Sequence, residues 1–254
     1  MVKNDAELIG KIAQGGRIAA DDELSPGYRG ELMRLMVVLV DSELAGAAGF
    51  VDCINSAPGL KERVVAARIV SEKFGHAQAV LELLEQFGVN PTLYLRSHPW
   101  AARLDRTIDL GTRRVGGDKR LNVFHYPLQG WTDAVCMNML MGAASSIQLS
   151  ELAESSYQPL STVIANIVPR EAEHARLGEI GLAQAIERDG NTLAAQVAVN
   201  YWYPRVAATF GRTESSHVDL DRQYGLRKRS NAEMLQAWTK EIGGRLAALG
   251  LTVP

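Results

Sequence analysis

The sequence has little cysteine, no long apolar run and almost no net charge, and each scarcity excludes something. Only two cysteines, Cys53 and Cys136, occur in 254 residues. They lie far apart inside apolar helical patterns, which rules out a disulfide-built scaffold and predicts two buried, reduced thiols. No stretch approaches the ~20 consecutive apolar residues that a bilayer requires. The opening residues, 1–16, lack the apolar core of a secretory leader, so the expectation is a cytoplasmic protein without membrane contact. With 27 basic against 29 acidic side chains, the formal net charge is -2. Such a balance gives no overall attraction to nucleic acid or anionic lipid, and anion binding must come from a local patch. Also missing are a repeat of fixed period, a Gly-rich phosphate loop after a strand, a Cys-x-x-Cys pair and any Ser/His/Asp arrangement that can be placed.

What is present is helical periodicity. A first helix is predicted over roughly residues 28–55, after the start signal Ser25-Pro26-Gly27, with an apolar stripe through Leu32, Leu35, Leu39, Gly46 and Phe50. A second spans roughly 59–87 and stops at Gly88 and Asn90-Pro91. A third covers about 131–154 and a fourth about 159–188, with Pro169 inside it predicting a kink or loosened turn. The stretch 91–129 reads as a long, arginine-rich covering segment with short helical pieces at most. A C-terminal extension over about 192–254 carries two further helices, near 192–209 and 231–249. Four such helices with one long crossover make residues 1–254 a single all-α bundle.

Ionisable residues fall on faces that should be apolar. Glu43 continues the stripe of the first helix, four residues after Leu39. His76 lies between Ile69 and Val80 on the inner stripe of the second, flanked by Glu72 and Lys73. Glu171 and His174 each follow an inner isoleucine of the fourth helix by seven residues. A carboxylate buried in a bundle costs several kcal/mol unless it meets a cation or good donors. Three carboxylates and two imidazoles on three helices therefore imply a shared positive centre. Glu-x-x-His on a helix presents two ligands on one face, as in the dimetal carboxylate bundles. Alone, such a motif is commonly a solvated helix pair, and the order along three helices is what makes it informative.

These residues sit within a chain that resembles the family of phenylacetyl-CoA epoxidase catalytic subunits. The matching stretches are Pro26-Gly-Tyr-Arg29, Asp41-Ser-Glu43, Gly75-His76, Asn122-Val-Phe-His-Tyr-Pro127, Trp131-Thr-Asp133, Glu171-x-x-His174, Trp202-Tyr-Pro204, Phe210-Gly211, Ser216-His217, Arg229-Ser-Asn231 and Leu249-Gly-Leu-Thr-Val-Pro254. The resemblance implies a ferritin-like fold with a di-iron centre that activates oxygen to epoxidise an aromatic acyl-CoA thioester. It also implies a complex with a related but metal-free partner, and electrons from a separate flavin and iron–sulfur reductase. Inherited metal ligands, for iron or manganese, would be Glu43, His76, Glu171 and His174, with Glu72 available beside them.

Two positions depart from that pattern. Lys73 stands where the family has the carboxylate of its first Glu-x-x-His, and Gly142 stands where the third helix has another. Asn138, Ser145 and Ser146 are poor substitutes. Dimetal bundles use about four carboxylates, whereas Glu43, Glu72 and Glu171 supply three and an inward Lys73 offsets one. Lys73 could itself be the cation, donating up to three hydrogen bonds. The alternatives are therefore an oxygen-dependent monooxygenase, a metal-free structural or interaction protein that is a homo-oligomer or binds a related chain, and an acyl-CoA carrier. On this reading, restoring Glu at 73 and Asp at 142 should create a metal-binding core. The cations Arg103, Arg106, Arg113, Arg114, Lys119 and Arg120 of the covering segment are candidates for the phosphates of acyl-CoA. Arg227-Lys228-Arg229 forms a second basic cluster, for a ligand or a partner chain.

Overall fold

The structure is a computed structural model and describes residues 5–113 and 115–254. Among them there is no strand, only an isolated bridge between Ile18 and Tyr157. Two long helices form the first half, α2 (Pro26–Val51) and α3 (Leu60–Glu85), preceded by a short α1 (Asp5–Ala13). A six-residue α4 (Pro91–Arg96) opens the crossover. The second half has α5 (Gly130–Ala153), α6 (Gln158–Asp189) and α7 (Leu193–Ala207), then α8 (Ser216–Gln223) and α9 (Asn231–Ala248).

The starts and stops follow local chemistry. Ser25 accepts from the Tyr28 amide and Pro26 takes the first helical position of α2. Asn90 caps α4 in the same manner, accepting from the Leu93 amide. Ser230 and Glu233 form a reciprocal capping box at the start of α9. Gly190, at φ 66°, ends α6 in the left-handed conformation. The helix is continuous across Pro169. Proline removes one backbone donor there, but packing along α5 on one side and α3 on the other holds α6 in register.

Helices α5 and α6 form the closest pair, α2 and α3 the second, and α3 joins the pairs by lying against α6. One part of the core, with Leu32, Met36, Val80 and Ile164, lies between α2, α3 and α6. Another gathers around α5, α7 and α9 and contains the fully buried Trp202 and Trp238. Helices α7 and α9 therefore thicken the bundle on the α5 side, whereas α8 lies against α2 and is followed by Tyr224 and Leu226 of the first core. Cys53 and Cys136 are both buried free thiols, as the composition predicts. Burial pushes the Cys53 thiol up to about 12.

The crossover is tied down by buried groups. Asp41 on α2 accepts from the Tyr94 hydroxyl and the Lys119 amide. Its neighbour Ser42 accepts from the Leu121 amide at 3.0 Å. Arg120, 3% exposed, pairs with Asp118 at 2.7 Å and donates to the carbonyls of Pro99, Trp100 and Ala102. These bonds lay the segment across α2 and above its inner face.

Candidate metal centre

The five polar residues predicted to converge do so. Glu43 comes from α2, Glu72 and His76 from α3, Glu171 and His174 from α6. Glu43, His76, Glu171 and His174 are 3%, 7%, 1% and 0% exposed, and Glu72 is half-buried at the rim. Each sits inward because its helix keeps a regular register: His76 falls one turn before Val80 of the α3 core face, and Glu171 and His174 one turn apart on α6.

Lys73 occupies the middle. Its Nζ donates to Glu171 Oε1 at 3.0 Å and to Glu43 Oε2 at 3.4 Å. Burial alone would lower the Lys73 pKa, but the charges of Glu171 and Glu43 outweigh it and hold the amine protonated, above its ordinary value. Glu171 is the hub. Burial would raise its pKa, yet the Lys73 charge and the contacts from His174 and His76 hold it well below the usual carboxylate range.

The imidazoles complete the cluster. His76 Nδ1 lies 3.4 Å from Glu171 Oε1 and 3.6 Å from Glu43 Oε2, without a formal hydrogen bond. Burial works against its charged form, but the two carboxylates prevail and push its pKa up to about 9. His174 Nδ1 meets Glu171 Oε1 at 3.1 Å and Nε2 meets Glu72 Oε2 at 2.6 Å. An imidazole between two carboxylate oxygens satisfies both only when the ring, or one carboxyl group, carries an additional proton. The two rings stack with centroids 6.0 Å apart.

The donor set can be tested against a metal. Glu43, His76 and Glu171 each offer one ligand atom, all within 4.8 Å of one another. Glu171 Oε2 and His76 Nδ1 are buried without a hydrogen-bond partner, so the trio retains unused ligand capacity for one ion. Two ions are a different matter. The Lys73 ammonium lies between Glu43 and Glu171. From α5 no carboxylate arrives: a Cβ at Gly142 would lie 2.8 Å from the Ala175 backbone nitrogen. The group that α5 does supply, Asn138, donates to the His174 carbonyl at 2.8 Å and braces the helix, not the cluster. Among the described residues the carboxylates of the cluster are thus Glu43, Glu72 and Glu171, with Lys73 as its ammonium.

Among the described residues, the crossover cations Arg103 and Arg120 meet on the Trp100 and Ala102 carbonyls, and Arg106 is held elsewhere. Arg106 forms a bidentate pair with Asp133, at 2.8 and 3.1 Å, and stacks 3.5 Å above the Tyr201 ring. Arg103 donates to the carbonyls of Ala45, Trp100 and Ala102. Arg120 is buried with Asp118, whereas Arg113 and Lys119 are exposed. Arg114 lies outside the described residues. Sequence reasoning missed Phe124, whose ring separates two cavities beside the cluster. One, about 460 Å³ and partly open to solvent, touches Lys73 and Arg103; the other, about 730 Å³ and likewise open, touches Glu43. Its only sequence signal was its place in Asn122-Val-Phe-His-Tyr-Pro127.

Comparison with known proteins adds family information to this geometry. The family described as phenylacetic acid catabolic protein matches residues 10–254. The A component of 1,2-phenylacetyl-CoA epoxidase from Escherichia coli (strain K12) is 25% identical over 248 residues, covering 96% of this chain and 75% of that protein. Benzoyl-CoA oxygenase component B from Aromatoleum evansii is 27% identical over 165 residues, covering 64% of this chain and 33% of that protein.

Proposed function

The chain belongs to the phenylacetic acid catabolic protein family, and on that premise we propose that it serves aromatic acyl-CoA oxygenation as a thioester-binding component whose core is held by Lys73 instead of a pair of iron ions. One observation carries this reading: the Lys73 ammonium bridges Glu43 and Glu171 from the middle of the cluster. A buried cation with two carboxylate partners removes the electrostatic need for a metal. The largely apolar cavity beside Glu43, walled on one side by Phe124, offers space for an acyl group. Both relatives are by name parts of multi-component CoA-thioester enzymes, which supports assembly with a related chain.

A second reading draws on the unpartnered Glu171 Oε2 and His76 Nδ1. In it Lys73 would turn out of the cluster, Glu43, His76 and Glu171 would hold one ion, and the chain would be an iron-dependent oxygenase component supplied with electrons by a reductase. Elemental analysis of protein produced with added iron or manganese separates the two. A Lys-held core gives far less than one ion per chain; one or two ions per chain overturns it in favour of the oxygenase.

A further inference from the structure

Three of the exposed large apolar side chains share one face of α3. Leu60, Val64 and Phe74 are 78%, 62% and 43% exposed. They fall within an arc of about 100° together with the exposed Ala67, Ser71 and Gly75. A lone exposed leucine needs no explanation, but an apolar row along one helix face is surface suited to a partner. Ala67, Ser71 and Gly75, one turn apart, keep this face low enough for a second helix to approach closely. Gly75 has no packing reason within its own chain: a Cβ added there would meet nothing within 4 Å. Glycine inside a helix nevertheless costs about 1 kcal/mol relative to alanine.

The charges on the same helix identify the partner. Lys61, Arg63 and Arg68 are exposed in its first half, and Glu82 and Glu85 near its end. The helix dipole favours the reverse order, acids at the start and bases at the end. Glu62 in the first turn follows that preference, but the last turn carries no base. Within the chain these charges find weak partners. Arg63 reaches the Asn55 carbonyl at 3.2 Å, Glu82 accepts from Gln78 at 3.0 Å, and Arg68 stands 4.0 Å from both Glu72 and Glu173. A second α3 laid antiparallel supplies what is lacking, because Lys61 and Arg63 of each copy then face Glu82 and Glu85 of the other. Phe74 of each copy lies over Ala67 and Ser71 of the other, at a shallow crossing of about 20°. The same patch serves both sides, as a two-fold contact requires.

We propose that this face of α3 is an interface between two copies of the chain, packed antiparallel about a two-fold axis near Ser71. The contact lies on the outer side of α3 and is independent of the state of Lys73 and of thioester binding.

Sedimentation equilibrium of the full chain over a range of concentrations tests it. The wild type should form a dimer of the 27.7 kDa chain. Phe74→Glu should weaken dimerisation about tenfold or more, as removal of a central apolar contact does, with helix content retained. Lys61→Glu with Arg63→Glu should weaken it as well. Adding Glu82→Lys with Glu85→Lys to that variant should restore the dimer, because the exchanged charges again face each other across the axis. Leu193→Glu, at an exposed apolar position of α7, should leave dimerisation unchanged. If Phe74→Glu fails to fold, the charge exchange decides. A wild-type chain that stays monomeric, an unaltered dimer in Phe74→Glu, failure of the fourfold exchange to restore pairing, or a dimer lost through Leu193→Glu overturns the assignment.

Discussion

Gly142 on α5 packs directly against the backbone of Ala175 on α6, so closely that a Cβ there would lie 2.8 Å from the Ala175 nitrogen and 3.0 Å from its Cα. Gly178 on α6 answers from the other side, where a Cβ would lie 2.5 Å from the Met139 nitrogen. The two helices approach through their glycines, and His174 is carried inward on the helix so placed.

Gly142→Ala should therefore destabilise the fold by about 1–3 kcal/mol through overpacking. Gly142→Asp should cost more, because the carboxylate has no room in the seam. The midpoint of urea unfolding reads both. A neutral Gly142→Asp would show that the seam can open, and would revive the expectation that Glu at 73 with Asp at 142 builds a metal site.

Removing the amine exposes what it balances. Lys73→Ala leaves Glu43 and Glu171 buried without their shared cation, and the expected loss is about 3–5 kcal/mol, measured by denaturation in chelator. Added manganese should recover part of that stability in the variant and none in the wild type, because only the variant has vacated the position between the carboxylates. A neutral Lys73→Ala would mean that the ammonium is not the structural cation.

His76 makes the stability pH-dependent. Its folded pKa, near 9, lies above the ordinary value of 6.5. The stabilisation is therefore fully present below about pH 6.5 and is lost as pH rises through 9, with a ceiling of roughly 3 kcal/mol. Unfolding free energy measured from pH 6 to 10 should fall across that window in the wild type. His76→Gln should flatten the fall.

Asp133 accepts from Arg106 twice, from the Gln129 amide at 2.8 Å and from Trp202 Nε1 at 2.9 Å. It thus joins the crossover, the start of α5 and α7. Asp133→Ala should cost about 3 kcal/mol or more by leaving these donors unpaired, and should raise amide exchange over residues 104–129. Unchanged exchange would show that the crossover is held without it.

Much of this was legible in the chain because period and capping act locally. Glu43, His76, Glu171 and His174 could be placed on inner faces by counting from Leu39, Val80 and the isoleucines of α6. Ser25-Pro26 and Gly190 marked helix ends for reasons that need no tertiary context. The short helices α1 and α8 were not visible. Their few residues have little periodic signal, and burial of Leu8, Val218 and Asp221 against the bundle selects them. Gly142 reads in sequence as a missing ligand, whereas in space it is a contact, because close helix approach depends on the partner helix. Arg106 of the crossover shows the same limit: its partner Asp133 lies on α5 and is recognisable only once the chain is folded, whereas the Arg120–Asp118 pair is local.

The central claim is that an ammonium, not a pair of ions, lies between Glu43 and Glu171. Anomalous diffraction at the iron and manganese edges, from crystals of protein grown and soaked with those metals, tests it most directly. A Lys-held core predicts no anomalous peak among Glu43, His76 and Glu171, with Lys73 Nζ about 3 Å from both carboxylates as a charge-assisted hydrogen bond requires. Two peaks there, with the Lys73 side chain swung away, would contradict it.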